Sequence, residues 1–281
     1  MSETQAASQE KLLGASYDIG KTAIYSAKVD PRFQYCLYVP RQIGPRTELV
    51  VCIHGSSRTS FLEFRDGFAE FGRWNDCAIL CPIFPMGPLG DDARSGYKYM
   101  REGDIRYDQV LLGIVEEVAR KYGRTWDDFA MFGFSGGGHF THRFAILHPR
   151  KLWAACIGAP GSVTLLDPER DWWVGIRNLE ETFAVAFDRA ALARVPVQML
   201  VGDADLETWE ITHQPGGRYW MEGANDAGRT RPERLRALQK SFEAAGVAVR
   251  FDLVPGVSHS RMLMIGRVHD FLADILKRRR G

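Results

Sequence analysis

The sequence predicts an α/β protein, a mostly parallel sheet with helices on both faces, and three observations carry that reading. From Glu48 onward, short continuous apolar runs alternate with helical patterns, as buried parallel strands joined by crossover helices do. The runs lie at residues 49–53, 78–83, 129–134, 152–157, 197–201 and 249–253, with helices expected over 61–74, 104–122, 136–147, 232–245 and 262–278. Finally, the length of 281 residues and a hydrophobic share of 45% are enough for a large core.

Ahead of this alternation the first dozen or so residues are polar, and a frayed leader is expected there. Residues 23–29 and 33–39 are β-rich, are separated by Asp30-Pro31 and are closed by Pro40. That punctuation predicts an antiparallel hairpin at one edge of the sheet. Two segments break the alternation: 158–195, with Trp172 and Trp173, and 206–228, with Trp209, Tyr219 and Trp220. Both follow strand ends, where open parallel sheets bind ligands, so a lid or pocket wall is one reading. Aromatic glue holding the insertions to the body is the other. The expected organisation is one domain over 1–281 with a short cap insertion at 158–195.

Composition narrows the function classes. A formal net charge of +1 provides no global field for nucleic acid or anionic lipid, and a small-molecule partner is expected, with no nucleic acid and no membrane. Whether the protein is a monomer or a homo-oligomer stays open. The run Lys277-Arg278-Arg279-Arg280 reads as a solvated helix end that complements the dipole. Five cysteines without CxxC spacing read as small buried hydrophobes. The N-terminal residues lack a basic and apolar signal pattern, and a cytoplasmic location is the default expectation.

The most specific chemical feature is Phe132-Gly133-Phe134-Ser135-Gly136-Gly137-Gly138, a Gly-x-Ser-x-Gly directly after an apolar run and directly before a helical pattern. On so sharp a strand-to-helix turn the backbone is strained, and the Ser135 hydroxyl stands clear at a helix N-terminus. A serine hydroxyl is a poor nucleophile near neutral pH and needs a histidine base with an acid to orient it. Of the seven histidines, only His259 lies in a glycine-bearing loop just after the last predicted strand. For the acid, Val201-Gly202-Asp203-Ala204-Asp205 offers two carboxylates at an earlier strand end. Asp205 is preferred for reach, with Asp203 as the alternative that ties down the turn.

Acyl transfer also needs donors aimed at a developing oxyanion. The backbone N–H of Gly136 is one, and the loop His54-Gly55-Ser56-Ser57 supplies the second, Ser56 ahead of Ser57, with His54 read as shaping the loop. Ser57, Trp172, Trp173 and Trp209 are candidate substrate contacts. In the turn-rich loop 85–99, Arg94, Tyr97 and Lys98 are candidates for binding a polar or anionic group. The sequence has no His-x-x-x-His, no cysteine cluster with ligand spacing and no dinucleotide loop, so neither metal nor organic cofactor is expected.

The order Ser135, Asp205, His259, the His-Gly loop after an early strand and the strand-to-helix serine turn resemble the α/β-hydrolase superfamily from about Glu48 onward. The turn Phe132 to His139 is also similar to that of esterases related to polyhydroxybutyrate depolymerases and feruloyl esterases. The resemblance implies the α/β-hydrolase fold and a cofactor-free hydrolase working through an acyl-enzyme, with a small carboxylic ester as the first expectation. Amides, lactones, thioesters and C–C bonds are cleaved by the same arrangement, acyl transfer to another acceptor uses it too, and a non-hydrolytic binding protein on the same fold is the reading from a different class.

Overall fold

The computed structural model describes residues 17–281; the polar opening segment lies almost wholly outside the described residues. The expected alternation is present as a nine-stranded sheet. Three strands form its antiparallel side: β1 (Gly20–Lys21) and β2 (Tyr25–Ser26) both pair with β3 (Gln34–Val39). This is the edge unit expected from residues 23–39, with its first strand reduced to two short pieces. The remaining strands are β4 (Glu48–Ile53), β5 (Cys77–Ile83), β8 (Phe129–Phe134), β9 (Leu152–Gly158), β10 (Val197–Gly202) and β11 (Val249–Val254). Their order across the sheet is β1-β3-β5-β4-β8-β9-β10-β11, parallel from β5 to β11.

This order fixes where a site can form. The chain moves from β4 outward to β5 and then returns to the other side of β4 as β8. Loops leaving β4 and β8 therefore diverge, and they open the crevice that such a reversal creates at the carboxyl ends of the strands. Every residue of β8 is buried, as are all but the first of β4, so the two strands that frame the crevice are held rigidly by the core.

Three expected helices differ at their ends or middle, among them the last, expected over 262–278, which runs over Ile265–Arg280. The pattern over 61–74 folds as α1 (Ser60–Gly67) and α2 (Ala69–Trp74), which together bury Phe64, Phe68 and Phe71. Two glycines, Gly67 and Gly72, weaken one continuous helix there. Instead of starting at 104, the next helix is α3 (Tyr107–Lys121), because β6 (Arg101–Glu102) and β7 (Ile105–Arg106) form a hairpin around Gly103, whose φ is +58°. The others are α4 (Gly136–Leu147), α5 (Leu179–Phe183), α6 (Arg189–Leu192), α7 (Arg231–Ala244) and α8 (Ile265–Arg280).

The basic C-terminal run is not merely solvated. Arg279 pairs with Glu48 at 2.9 Å and with Asp128, and Arg280 donates to the carbonyls of Arg46 and Asp76, so the end of α8 is fastened to the body. Among the described residues no helix is long and apolar enough to cross a membrane, and the five cysteines are free and buried.

Candidate active site

Ser135 stands between β8 and α4 with φ +57° and ψ −116°, a backbone state that residues other than glycine rarely adopt. The strain is held by packing on both sides. Ser135 N–H donates to Gly158 O at 2.8 Å, and Ser135 O accepts from His139 N at 3.1 Å. Glycine is required around it because the backbones touch: a Cβ on Gly133 would lie 2.2 Å from Gly137 O, and one on Gly137 would lie 2.1 Å from Ile53 O. Gly137→Ala is accordingly expected to destabilise the fold by about 3 kcal/mol or more, read by chemical denaturation, since neither backbone can yield without shifting a core strand.

The expected histidine and acid are brought together. His259 Nδ1 lies 2.6 Å from Asp205 Oδ2, across the loops that follow β10 and β11. A carboxylate can only accept, so Nδ1 is the donor in this contact and Nε2 is left for a second partner. The two loops are laced by Asp203 N to Val254 O, Ala204 N to Val257 O and Gly256 N to Asp203 Oδ1 at 2.8 Å. Asp203 thus fastens the turn, and Asp205 is the carboxylate that reaches the imidazole. Behind the ring lies Phe134, with centroids 4.8 Å apart.

One residue at this junction has no signal in the sequence. Arg231, buried at the start of α7, donates to Asp205 Oδ1 at 2.9 Å and to Glu210 Oε2 at 2.7 Å. The carboxylate of Asp205 is therefore gripped on one oxygen by a guanidinium and on the other by the imidazole. Replacing Arg231 by Met should cost about 3 kcal/mol of stability, because it leaves a buried carboxylate without its ion partner. Equilibrium denaturation measures it.

The loop after β4 carries the second expected set. His54 is buried, with Nδ1 2.8 Å from Gly55 O and Nε2 accepting from Phe84 N at 2.9 Å, and burial drives its pKa down to about 3. It shapes the loop as a neutral ring. Arg58, at φ +67°, donates to the carbonyls of Ser56, Phe84 and Arg94, which fixes the loop from below. A Cβ on Gly136 would stand 3.0 Å from Ser56 N and 2.1 Å from the Tyr97 hydroxyl, so the amides of residues 56 and 136 are neighbours and position 136 must be glycine.

These groups open on one pocket of about 440 Å³, lined by Ser56, Ser57, Ser135 and His259 among others. Lys98, His139, His213, Glu210, Arg231 and Arg261 also line it. His139 accepts at Nε2 from Gly161 N at 2.8 Å; burial, then the charges of Arg143 and Lys98, hold it neutral. Burial and nearby arginines lower His213 to about 4.

The tryptophans are not walls of this pocket. Trp172 packs on Phe183 and donates from Nε1 to Tyr99 O at 3.1 Å, while Trp173 donates to Tyr219 O at 3.0 Å, and Trp209 is 74% exposed. Tyr99, Trp173 and Tyr219 form a small second core, against which the buried guanidinium of Arg143 lies 4.7 Å from the Tyr99 ring and 5.1 Å from that of Trp173. Of the two readings of these insertions, aromatic glue describes Trp172 and Trp173, because their rings are consumed in holding 158–195 and 206–228 to the body. From the insertions the pocket takes Gly161, Glu210, Ile211, His213 and Tyr219 instead.

The sheet order and the crevice between β4 and β8 are those of the α/β-hydrolase fold. No family model matches the chain, and no curated protein matches it by sequence. Solved structures do. A poly(3-hydroxybutyrate) depolymerase, LpqC from Bordetella parapertussis, superposes with a TM-score of 0.70 at 22% identity, covering 91% of this chain and 89% of that one. Poly(aspartic acid) hydrolase-1 from Sphingomonas sp. KT-1 gives 0.69 at 20%, covering 85% and 92%. An S-formylglutathione hydrolase from Agrobacterium tumefaciens gives 0.60 at 16%, covering 91% and 94%. At such identities the likeness establishes the fold, and the activity has to be argued from the site.

Proposed function

We propose that this protein is a serine hydrolase that cleaves a small carboxylic ester through an acyl-enzyme. The carrying observation is that a serine in a strained strand-to-helix turn and a histidine already paired to a buried carboxylate open on the same pocket. In this reading Ser135 Oγ attacks the ester carbonyl while His259 Nε2 takes its proton, and Asp205 steadies the imidazolium that results. The N–H groups of Ser56 and Gly136 receive the oxyanion, each worth roughly 3 kcal/mol in the transition state. Collapse of the tetrahedral adduct expels the alcohol, which leaves with the proton from Nε2. Water then enters, gives a proton to the same nitrogen and releases the acid from Ser135.

An ester is favoured over an amide because an alkoxide is the easier group to expel. The hydrolase names of the structural neighbours support a hydrolytic reaction. One experiment tests the proposal: labelling with a fluorophosphonate, mapping of the modified residue, and a panel of p-nitrophenyl esters and anilides. Label on Ser135 with ester turnover is the expected result. Folded protein that neither labels nor turns over any member would overturn it in favour of a binding protein.

A further inference from the structure

The pocket beside Ser135 has a charge imbalance that the proposed ester hydrolysis does not use. Its carboxylates are spoken for: Asp205 and Glu210 are held by Arg231, and Arg261 is paired with Glu63. Three further buried or largely buried guanidiniums stand around it with no carboxylate partner. Arg58 is bound to backbone carbonyls, Arg143 to Thr164 Oγ1, Ser162 Oγ and Lys98 O, and Arg234 to the carbonyls of Gly228, Gly161 and Ile211 and to Asn225. Into this setting Lys98 projects from the 3₁₀ turn Gly96–Tyr99 and lines the pocket. Among the described residues its ammonium has no hydrogen bond or ion pair; the charges acting on it are Arg58, Arg143 and Arg231 against a single Glu210.

A largely buried ammonium facing cations is costly, and an anion arriving with the substrate removes that cost. The place of this ammonium also limits where the anion can be. A Cβ on Gly136 would lie 3.1 Å from Lys98 Cε, so the ammonium stands next to the amides proposed to receive the oxyanion. We propose that the substrate is an ester bearing a second, carboxylate group a few bonds from the scissile carbonyl, and that Lys98 is the residue that receives that carboxylate. This inference rests on the hydrolase reading and adds the substrate class to it.

The prediction is a preference for half-esters of short dicarboxylic acids. With the wild type, kcat/KM for monoethyl succinate should exceed that for the neutral isostere ethyl 4-methylpentanoate by roughly tenfold or more, the scale of one charge-assisted hydrogen bond in a desolvated pocket. In Lys98→Met the ratio should fall towards one, and in Lys98→Arg it should be kept above one. An equal loss on both esters in Lys98→Met, or no wild-type preference for the half-ester, would overturn the proposal.

pH gives a measurement that needs no variant. Burial and the nearby arginines lower Lys98 to about 8, so the cation is present below that pH and lost above it. His139 and His213 are held neutral by burial well below this range, while burial raises Tyr97 and Tyr99 and the arginines stay charged. The proposed roles of Ser135, His259 and Asp205 are the same on both esters, so their contribution cancels in the ratio. The preference should therefore decline as pH rises through about 8, and a ratio flat across that range would count against Lys98. Failure of Ser135 to label removes the hydrolase reading alone. In that case calorimetry with succinamate still reads the anion site, binding to the wild type and not to Lys98→Met being the expected result and equal binding or none overturning it.

Discussion

Ser135→Ala is expected to lower kcat/KM on any ester substrate by at least about 10⁴-fold and to abolish fluorophosphonate labelling, with the circular dichroism spectrum and thermal midpoint close to those of the wild type. The loss is large because the proposed mechanism has no second nucleophile: with Oγ gone, His259 has no proton to take and no acyl-enzyme can form. The fold should survive, because the groups that hold the turn are backbone atoms. Ser135 N–H bonds Gly158 O, Ser135 O accepts from His139 N, and the side chain takes part in no hydrogen bond among the described residues. Alanine at φ +57° bears a strain comparable to that of serine, so the substitution adds little to what the turn already holds. Retention of most activity would sink the assignment.

The second large effect separates two aspartates two positions apart in the chain. Asp205→Asn should lower kcat by about 10³- to 10⁴-fold, whereas Asp203→Asn should stay within a few-fold of the wild type. An asparagine at 205 can still turn its oxygen towards Arg231, which protects the fold. Its amide nitrogen then faces His259 Nδ1 and donates to it, which moves the imidazole proton to Nε2, where it blocks acceptance from Ser135. At 203 the side-chain oxygen that accepts from Gly256 N at 2.8 Å is retained in asparagine, so the loop keeps its tie. Steady-state kinetics on one ester across both variants measures the difference, and equal losses would remove Asp205 from its proposed place.

The position of the site was legible in the sequence because local chemistry dictates it. Gly133-Phe134-Ser135-Gly136-Gly137 after an apolar run has few ways to fold, since both flanking glycines lie where a Cβ would strike backbone. His259 and Asp205 could be chosen because each follows a strand by a short loop, and their loops leave adjacent parallel strands, β10 and β11. The boundaries of β8 and α4 agree with the pattern to the residue, as strong, uninterrupted apolar segments tend to.

What escaped the pattern is long-range. Arg231 stands twenty-six positions from the carboxylate it holds and carries only a capping signature at the start of α7, so nothing local marks its contact with Asp205 and Glu210. The tryptophans of the insertions drew notice as pocket residues because large aromatics so often line binding sites. Their indole N–H groups are instead spent on the carbonyls of Tyr99 and Tyr219. Lys98 looked like one charge among several in a turn-rich loop, and only the packing of Arg58 and Arg143 around it makes it an unpartnered cation.

By itself, then, the sequence determined the strands, the order in which they alternate with helices and the three residues on which catalysis is proposed to rest, because each follows from apolar periodicity or from backbone sterics within a few positions. The tertiary structure decided the electrostatic character of the pocket: which arginines find carboxylates, which histidines are desolvated into neutrality and which aromatic rings are used up as glue. Those properties are sums over neighbours distant in the chain, and charge and burial acquire their values only when such neighbours meet.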